Sequence, residues 1–313
     1  MMATAPQPSE CVIALPGGWV KARKFEDALR RSGDALGGPF TSVLIQVPAD
    51  CKLMVDVIIR LLSFCNQAAA MTKRIRLQFA EGSESLRGYL SRIGFFDHLL
   101  PTVEVHPARP LFSGADLHRG GNSGLVEIAR FSGTKAADHD LVDNLAATAH
   151  RSCVARTDAA ALKNAVFTIF AELIGNVSEH SQSSLDAFAV LQTYAGGNQV
   201  RMAVSDSGTG ILQTLRPALQ AKGDAAAVLS DVHLLVEMFR KGVSRLDDDS
   251  RGNGLAACAS HAVRFQAELD VRLLNQRVLL IPSNNVFQPN MAYSQEELPL
   301  LWGTHISFSL KIA

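Results

Sequence analysis

Glu172 and Asn176 stand one helical turn apart in the run Glu172-Leu-Ile-Gly-Asn176-Val-Ser-Glu-His180. An amide oxygen can ligate Mg²⁺, and a carboxylate can orient or deprotonate a water molecule. Around them Val166, Ile169, Phe170, Leu173 and Val177 recur at helical spacing and form an apolar stripe. Both polar residues therefore fall at its border, with His180 one further turn along. Taken alone, such a pair is the ordinary edge of a core-facing helix; a cleft has to be built by other elements.

Three other elements could build it. Asp206-Ser-Gly208-Thr-Gly210 follows a strand in which Val200, Met202 and Val204 share a face, and the two-residue period turns Asp206 to that inner side. A carboxylate in apolar surroundings needs a donor, which a ligand amino group such as that of adenine supplies; a turn Asp with turn glycines is the alternative. Arg251-Gly252-Asn253-Gly254 opens a helix at Leu255. There glycines let backbone approach phosphate and the free amides favour an anion, although glycine-rich loops also enter helices for steric reasons. Gly303-Thr304 leads into a last strand whose Thr304, Ile306, Phe308, Leu310 and Ile312 share the cored face, where a plain core threonine is the competing reading.

These pieces need a scaffold, and the patterning supplies one. After a polar tail at residues 1–10, strand-like runs at Cys11–Leu15, Ser42–Val47 and Arg74–Phe79 alternate with helical runs near Ala22–Arg31, Leu53–Ala70 and Ser83–Ile93, which predicts an α/β domain over 11–105. His106–Ser123, rich in Pro and Gly and without period, reads as a linker. The second domain, 124–313, is expected to hold a strand at Leu125–Phe131, helices at Asp138–Ser152 and Asp158–His180, and a hairpin of Ala187–Tyr194 and Gln199–Asp206 around Gly196-Gly197-Asn198. A mostly helical stretch Ile211–Lys241 and a mobile loop at Asp247–Arg251 follow, then a helix at Leu255–Phe265 and strands at Glu268–Leu274, Arg277–Pro282 and Thr304–Ile312. This order suggests a two-layer α/β sandwich with a mixed sheet.

Composition bounds what the scaffold can serve. With 313 residues, 47% hydrophobic and 19% charged, the chain is a folded protein of two-domain size. Lys+Arg and Asp+Glu are both 30, so no excess charge attracts nucleic acid or anionic lipid. The five cysteines are odd in number and contain no C-x-x-C pair, which favours reduced thiols over a disulfide or zinc framework. No leader pattern and no uncharged apolar run of the ~18–20 residues that cross a bilayer is present, so a cytoplasmic location is the default expectation.

Together and in this order, the four elements resemble the Bergerat ATP-binding fold of the GHKL superfamily, which includes histidine kinases, anti-sigma factor kinases, type II topoisomerases, heat-shock chaperone ATPases and MutL. The resemblance spans about Leu125–Ala313, with 172–180 as the N box, 206–210 and 251–254 as the two glycine boxes, and Gly303-Thr304 at the closing strand. It implies ATP and Mg²⁺ as ligands, Glu172 as water-activating base, Asn176 as metal ligand and Asp206 as adenine anchor. It further implies Gly208 and Gly210 beside the base, Gly252, Asn253 and Gly254 along the phosphates, and Thr304 near the base. His180 is carried over as a phosphate-facing residue or a border core histidine, and Arg245, in Lys241-Gly-Val-Ser-Arg245, as a γ-phosphate contact. The span between the glycine boxes would be a lid.

The sequence ends at Ala313, whereas the chaperone, MutL and topoisomerase branches continue past the ATPase, so the expectation falls on other branches. Neither His139-Asp140 nor His150-Arg151 has the flanks of a phosphoacceptor histidine. The first domain resembles a STAS-like domain through Ser42–Val47 and Tyr89-Leu-Ser-Arg-Ile-Gly94-Phe-Phe, but Val47-Pro-Ala-Asp50-Cys51-Lys52 stands where phosphorylatable members carry an acceptor serine, which leaves docking or sensing. The expected function is a nucleotide-switched regulator with slow ATP hydrolysis, whose N-terminal domain selects a protein partner, a homodimer being open. A Ser/Thr protein kinase of the anti-sigma factor type and a non-catalytic interaction module are the alternatives. A dinucleotide-binding reading of Gly208-Thr-Gly210 fails at Gln213, where the third glycine would stand.

Overall fold

The computed structural model describes residues 9–132, 139–180, 183–241, 254–284, 286–287 and 292–313. The fold is mixed α/β, with three sheets among the described residues. Two compact units are present: 1–117 together with Leu298–Leu301, and 118–297 together with Trp302–Ala313.

The first unit is built on a parallel sheet. Strands β1 (Glu10–Ala14), β3 (Ser42–Val47), β5 (Arg74–Phe79) and β6 (Glu104–His106) pair in that order, and β2 (Gly18–Val20) pairs separately with β4 (Cys51–Leu53). Helices α1 (Ala22–Ser32), α2 (Val55–Ala70), α3 (Glu84–Arg92) and α4 (Phe95–His98) fill the crossovers. Parallel pairing requires such crossovers, and the alternation of apolar runs in the sequence reflects it. Val55 to Ala68 are buried on every side of α2, including Asp56 and Arg60, and Arg60 is paired with buried Glu26 at 3.4 Å. The turn at Asp50, where an acceptor serine was sought, is committed to structure: Asp50 Oδ2 accepts the Gly18 N–H at 3.1 Å. The segment read as a linker holds the end of β6 and a short helix, α5 (Gly114–His118), whose Leu117 N–H bonds the Ser113 carbonyl and whose Asp116 N–H bonds the Ser113 hydroxyl.

The second unit contains a seven-stranded sheet. Its strands are β7 (Leu125–Phe131), β8 (Ala187–Tyr194), β9 (Gln199–Ser205), β10 (Glu268–Arg272), β11 (Arg277–Leu280), β12 (Ala292–Gln295) and β13 (His305–Lys311), in the order β12-β11-β10-β13-β9-β8-β7. The expected mixed sheet is instead antiparallel at every pairing. The β8–β9 and β10–β11 pairs are hairpins, and the last strand, β13, enters antiparallel to both β9 and β10, so no parallel neighbour arises among the described strands. The β8–β9 turn is closed by Asn198 at φ 48°, a left-handed position that Asn tolerates. β12 was missed because its four residues, Ala-Tyr-Ser-Gln, carry almost no apolar alternation.

Helices α6 (His139–Ser152), α7 (Ala159–His180), α8 (Ile211–Lys222), α9 (Asp231–Lys241) and α10 (Gly254–Arg264) accompany this sheet. Val166, Phe170, Leu173 and Ile174 of α7 share one core with Val200, Met202 and Val204 of β9, Ile306 and Phe308 of β13, and Cys258 and Ala262 of α10. Residues Ala159–Val177 are long and apolar enough to cross a membrane by length and composition, and 44% of that span is buried. Its burial against the sheet is that of a core helix.

Candidate functional site

The site forms where the C-terminal end of β9 meets the entry to β13. Asp206 follows β9 on its inner face and is 7% exposed. Its Oδ1 accepts the Gly208 N–H at 2.7 Å and its Oδ2 accepts the Thr304 N–H at 3.1 Å, while its own N–H donates to the Thr304 carbonyl at 3.1 Å. Burial pushes the carboxyl up to about 6; the two backbone donors pull it down by less. Each oxygen thus has one backbone donor and keeps capacity for a second.

Two glycines let the chain close so tightly. Gly303, at φ +89°, passes so near Asp206 that a Cβ there would lie 2.1 Å from the Asp206 carbonyl oxygen. Gly210, at φ +92°, starts α8 without a side-chain cap of its own. The Thr304 hydroxyl supplies one instead, accepting the Ile211 N–H at 3.0 Å. Beneath this clamp the inner residues alternate with a buried polar pair on the other face. Ser205 Oγ lies 2.5 Å from His305 Nδ1 and His305 Nε2 lies 3.1 Å from the Trp302 carbonyl oxygen, so the ring donates through Nε2 and accepts from the serine.

Above Asp206 opens a cavity of about 60 Å³, several times the ~10–15 Å³ that one water needs in the same measure. Apolar walls come from Leu173, Val177, Val204, Ile211, Leu255 and Ile306, and the polar groups converging on it are Asn176, Asp206, Thr214 and Thr304. Such a chamber, largely apolar with a few placed polar groups, has the make-up of a small-molecule site. Comparison with family models, with curated proteins and with solved structures returned no match. The chemistry of the site therefore rests on its own geometry.

Of the residues singled out in the sequence, Asn176, Asp206, Gly210 and Thr304 line this cavity, and Gly208 donates to Asp206. Glu172, one turn before Asn176, stands against Gly254: a Cβ on that glycine would lie 1.8 Å from Glu172 Oε2. His180 is the last residue of α7; its side chain, like Arg245, Gly252 and Asn253, lies outside the described residues. Thr214 and Leu255 were missed as lining residues. Thr214 sits one turn into α8, on the side that Gly210 and Thr304 turn toward the cavity, a relation set by tertiary packing with no local signature. The Ser205–His305 pair was also missed, because its partners are 100 residues apart and only the β9–β13 register joins them.

The donor set beside Asp206 bears on the implied metal through Asn176. No cluster of three or more His, Cys, Asp or Glu able to hold a metal exists among the described residues. Mg²⁺ needs no such cluster, since it is usually held by one or two carboxylates plus substrate phosphates and keeps several waters. Asn176, at the cavity wall, offers a neutral amide oxygen.

Proposed function

We propose that this protein binds Mg·ATP in its second unit and acts as a nucleotide-dependent switch on a protein partner, with slow hydrolysis resetting it. In this reading the second unit is a Bergerat-type ATP-binding domain of GHKL kind. The first is a STAS-like domain that docks the partner, and the whole is a cytoplasmic regulator. The observation that carries it is Asp206: a carboxylate 7% exposed, held by two backbone N–H groups and lining a largely apolar chamber beside Asn176. An ionised carboxylate is costly there without a further donor, and the exocyclic amino group of adenine supplies one.

The residues divide the work. Asp206 and Thr304 would select the amino edge of the base, while Leu173, Val177, Ile211 and Ile306 would cover its faces and exclude water. Asn176 would hold Mg²⁺, which supplies charge neutralisation for the phosphates when bound. Glu172 would take the proton from the attacking water.

Calorimetry with ATP and ADP in the presence of Mg²⁺ tests the reading. Saturable 1:1 binding is expected, weakened at least tenfold in Asp206→Asn at a temperature where circular dichroism shows the variant folded, because the amide can no longer accept on both oxygens. Absence of ATP and ADP binding by the wild type would sink it. Incubation with labelled ATP then separates free phosphate, expected here, from phosphate on a protein hydroxyl.

A further inference from the structure

β9 ends at Ser205 and β13 begins at His305, and these two residues form the last rung of the pairing between the strands. Beyond that rung one chain carries Asp206 and the other carries Trp302-Gly303-Thr304, with Gly303 at φ +89°, outside both strands. Regular pairing thus stops one residue short of the carboxylate. Alternation turns Ser205 and His305 away from the cavity that Asp206 and Thr304 line. The His305 ring carries the hold past the last rung. Its Nε2 donates to the Trp302 carbonyl oxygen at 3.1 Å, and its Nδ1 accepts from the Ser205 hydroxyl at 2.5 Å. Ser205 is 0% and His305 1% exposed, so water does not compete for the bond between them. One ring therefore joins the strand that leads into Asp206 to the residue at which the turn begins.

Trp302 and His305 bracket Gly303 and Thr304, so tying the outer two fixes the inner two. Thr304 has three bonds that depend on where it is fixed. Its N–H donates to Asp206 Oδ2 at 3.1 Å, its carbonyl accepts the Asp206 N–H at 3.1 Å, and its hydroxyl accepts the Ile211 N–H at 3.0 Å. We propose that His305 is a positioning residue for the cavity: by tying the Trp302 carbonyl to Ser205 on the far face of the sheet, it sets the Thr304 N–H on the Asp206 carboxylate. His305 is not among the residues that line the cavity, and its effect passes through Thr304. That the carboxylate then grips the amino group of a base rests on the nucleotide reading above, whereas the positioning is a property of the ligand-free protein.

Two measurements on the full chain test it. The first is amide hydrogen exchange by NMR in the ligand-free protein, comparing Thr304 with Gly208, whose N–H holds the other oxygen of Asp206 from outside the turn. The second is adenosine affinity by calorimetry. His305→Phe fills the ring's space and ties nothing, while His305→Gln brings an amide that both donates and accepts, as the neutral ring does. In His305→Phe the Thr304 amide should exchange at least tenfold faster with Gly208 unchanged, and adenosine should bind about tenfold more weakly, the scale of one placed hydrogen bond to a charged group. His305→Gln should restore most of both. Ser205→Ala removes only a hydroxyl and carries the test should His305→Phe not fold; it should move both readings the same way by less, and wild-type behaviour there overturns the proposal. Equal acceleration of Thr304 and Gly208 in His305→Phe also overturns it, because the ring then stabilises the fold in general. So does a His305→Gln protein that matches His305→Phe, since the ring is then filling space. If wild type binds no adenosine while Thr304 alone loses protection in His305→Phe, the nucleotide reading fails and the positioning stands.

Discussion

Burial raises the Asp206 carboxyl to about 6 although two backbone N–H groups donate to it, so this side chain changes charge where ordinary carboxylates stay ionised. The consequences for stability and for binding have opposite signs. A carboxyl raised from 3.8 to about 6 holds its proton more tightly in the folded state than in the unfolded one. Its contribution is thus most favourable below 3.8 and is lost as pH rises through 6, a difference of about 3 kcal/mol. Binding of an amino donor runs the other way, because the ionised form accepts it. ATP affinity, followed by calorimetry, should be flat above about pH 7 and fall about tenfold by pH 5, as one-proton linkage to a group near 6 requires. Asp206→Asn should abolish that dependence; an equal pH profile in both proteins would assign the titration elsewhere.

At the scale of elements, Gly303 and Gly175 of the second unit make opposite demands. Gly303 holds φ +89° with the Asp206 carbonyl oxygen where its Cβ would go, so Gly303→Ala strains the backbone and drives β13 away from the end of β9. The left-handed conformation alone costs about 1–2 kcal/mol, and the clash adds to it. Gly175, inside α7, has nothing within 4 Å of its Cβ position, so Gly175→Ala should stabilise by about 0.5–1 kcal/mol through helix propensity. Urea denaturation of both variants checks the pair, and a stabilising Gly303→Ala would refute the clamp. Patterning in the chain made much of this visible. The helical stripe from Val166 to Val177 and the two-residue period of Val200, Met202 and Val204 place α7, β9 and the inward Asp206 where the structure has them. Pairing was less visible: the antiparallel sheet, the four-residue β12 and the Ser205–His305 contact depend on which strands become neighbours, information that local periodicity does not contain. Glu172 meeting Gly254 belongs to the same class, since the two lie on different helices and only packing brings them together.

For the molecule as a whole, the cysteines offer a probe that spans both units without altering either. Cys11, Cys51 and Cys65 belong to the first unit, Cys153 and Cys258 to the second, and all five are free and at most 2% exposed. Burial pushes every one of these thiols up, Cys51 to about 12, so little thiolate forms at neutral pH even where a reagent reaches the sulfur. The native protein should therefore be nearly inert to a thiol-reactive disulfide reagent, and all five residues should react in denaturant. Under native conditions labelling then proceeds through opening, and its rate falls with any ligand that binds only the closed form. Nucleotide at about 100 times its dissociation constant should slow Cys153 and Cys258 about a hundredfold, equivalent to ~2.7 kcal/mol. Peptide mapping of the labelled sites gives the rate for each cysteine separately. Slowing confined to Cys153 and Cys258 would mean that the two units open independently, and slowing of all five that they open as one cooperative body. Labelling of Cys153 and Cys258 that ignores nucleotide would remove the second unit as its binding site, because a ligand held there must oppose the opening that exposes them.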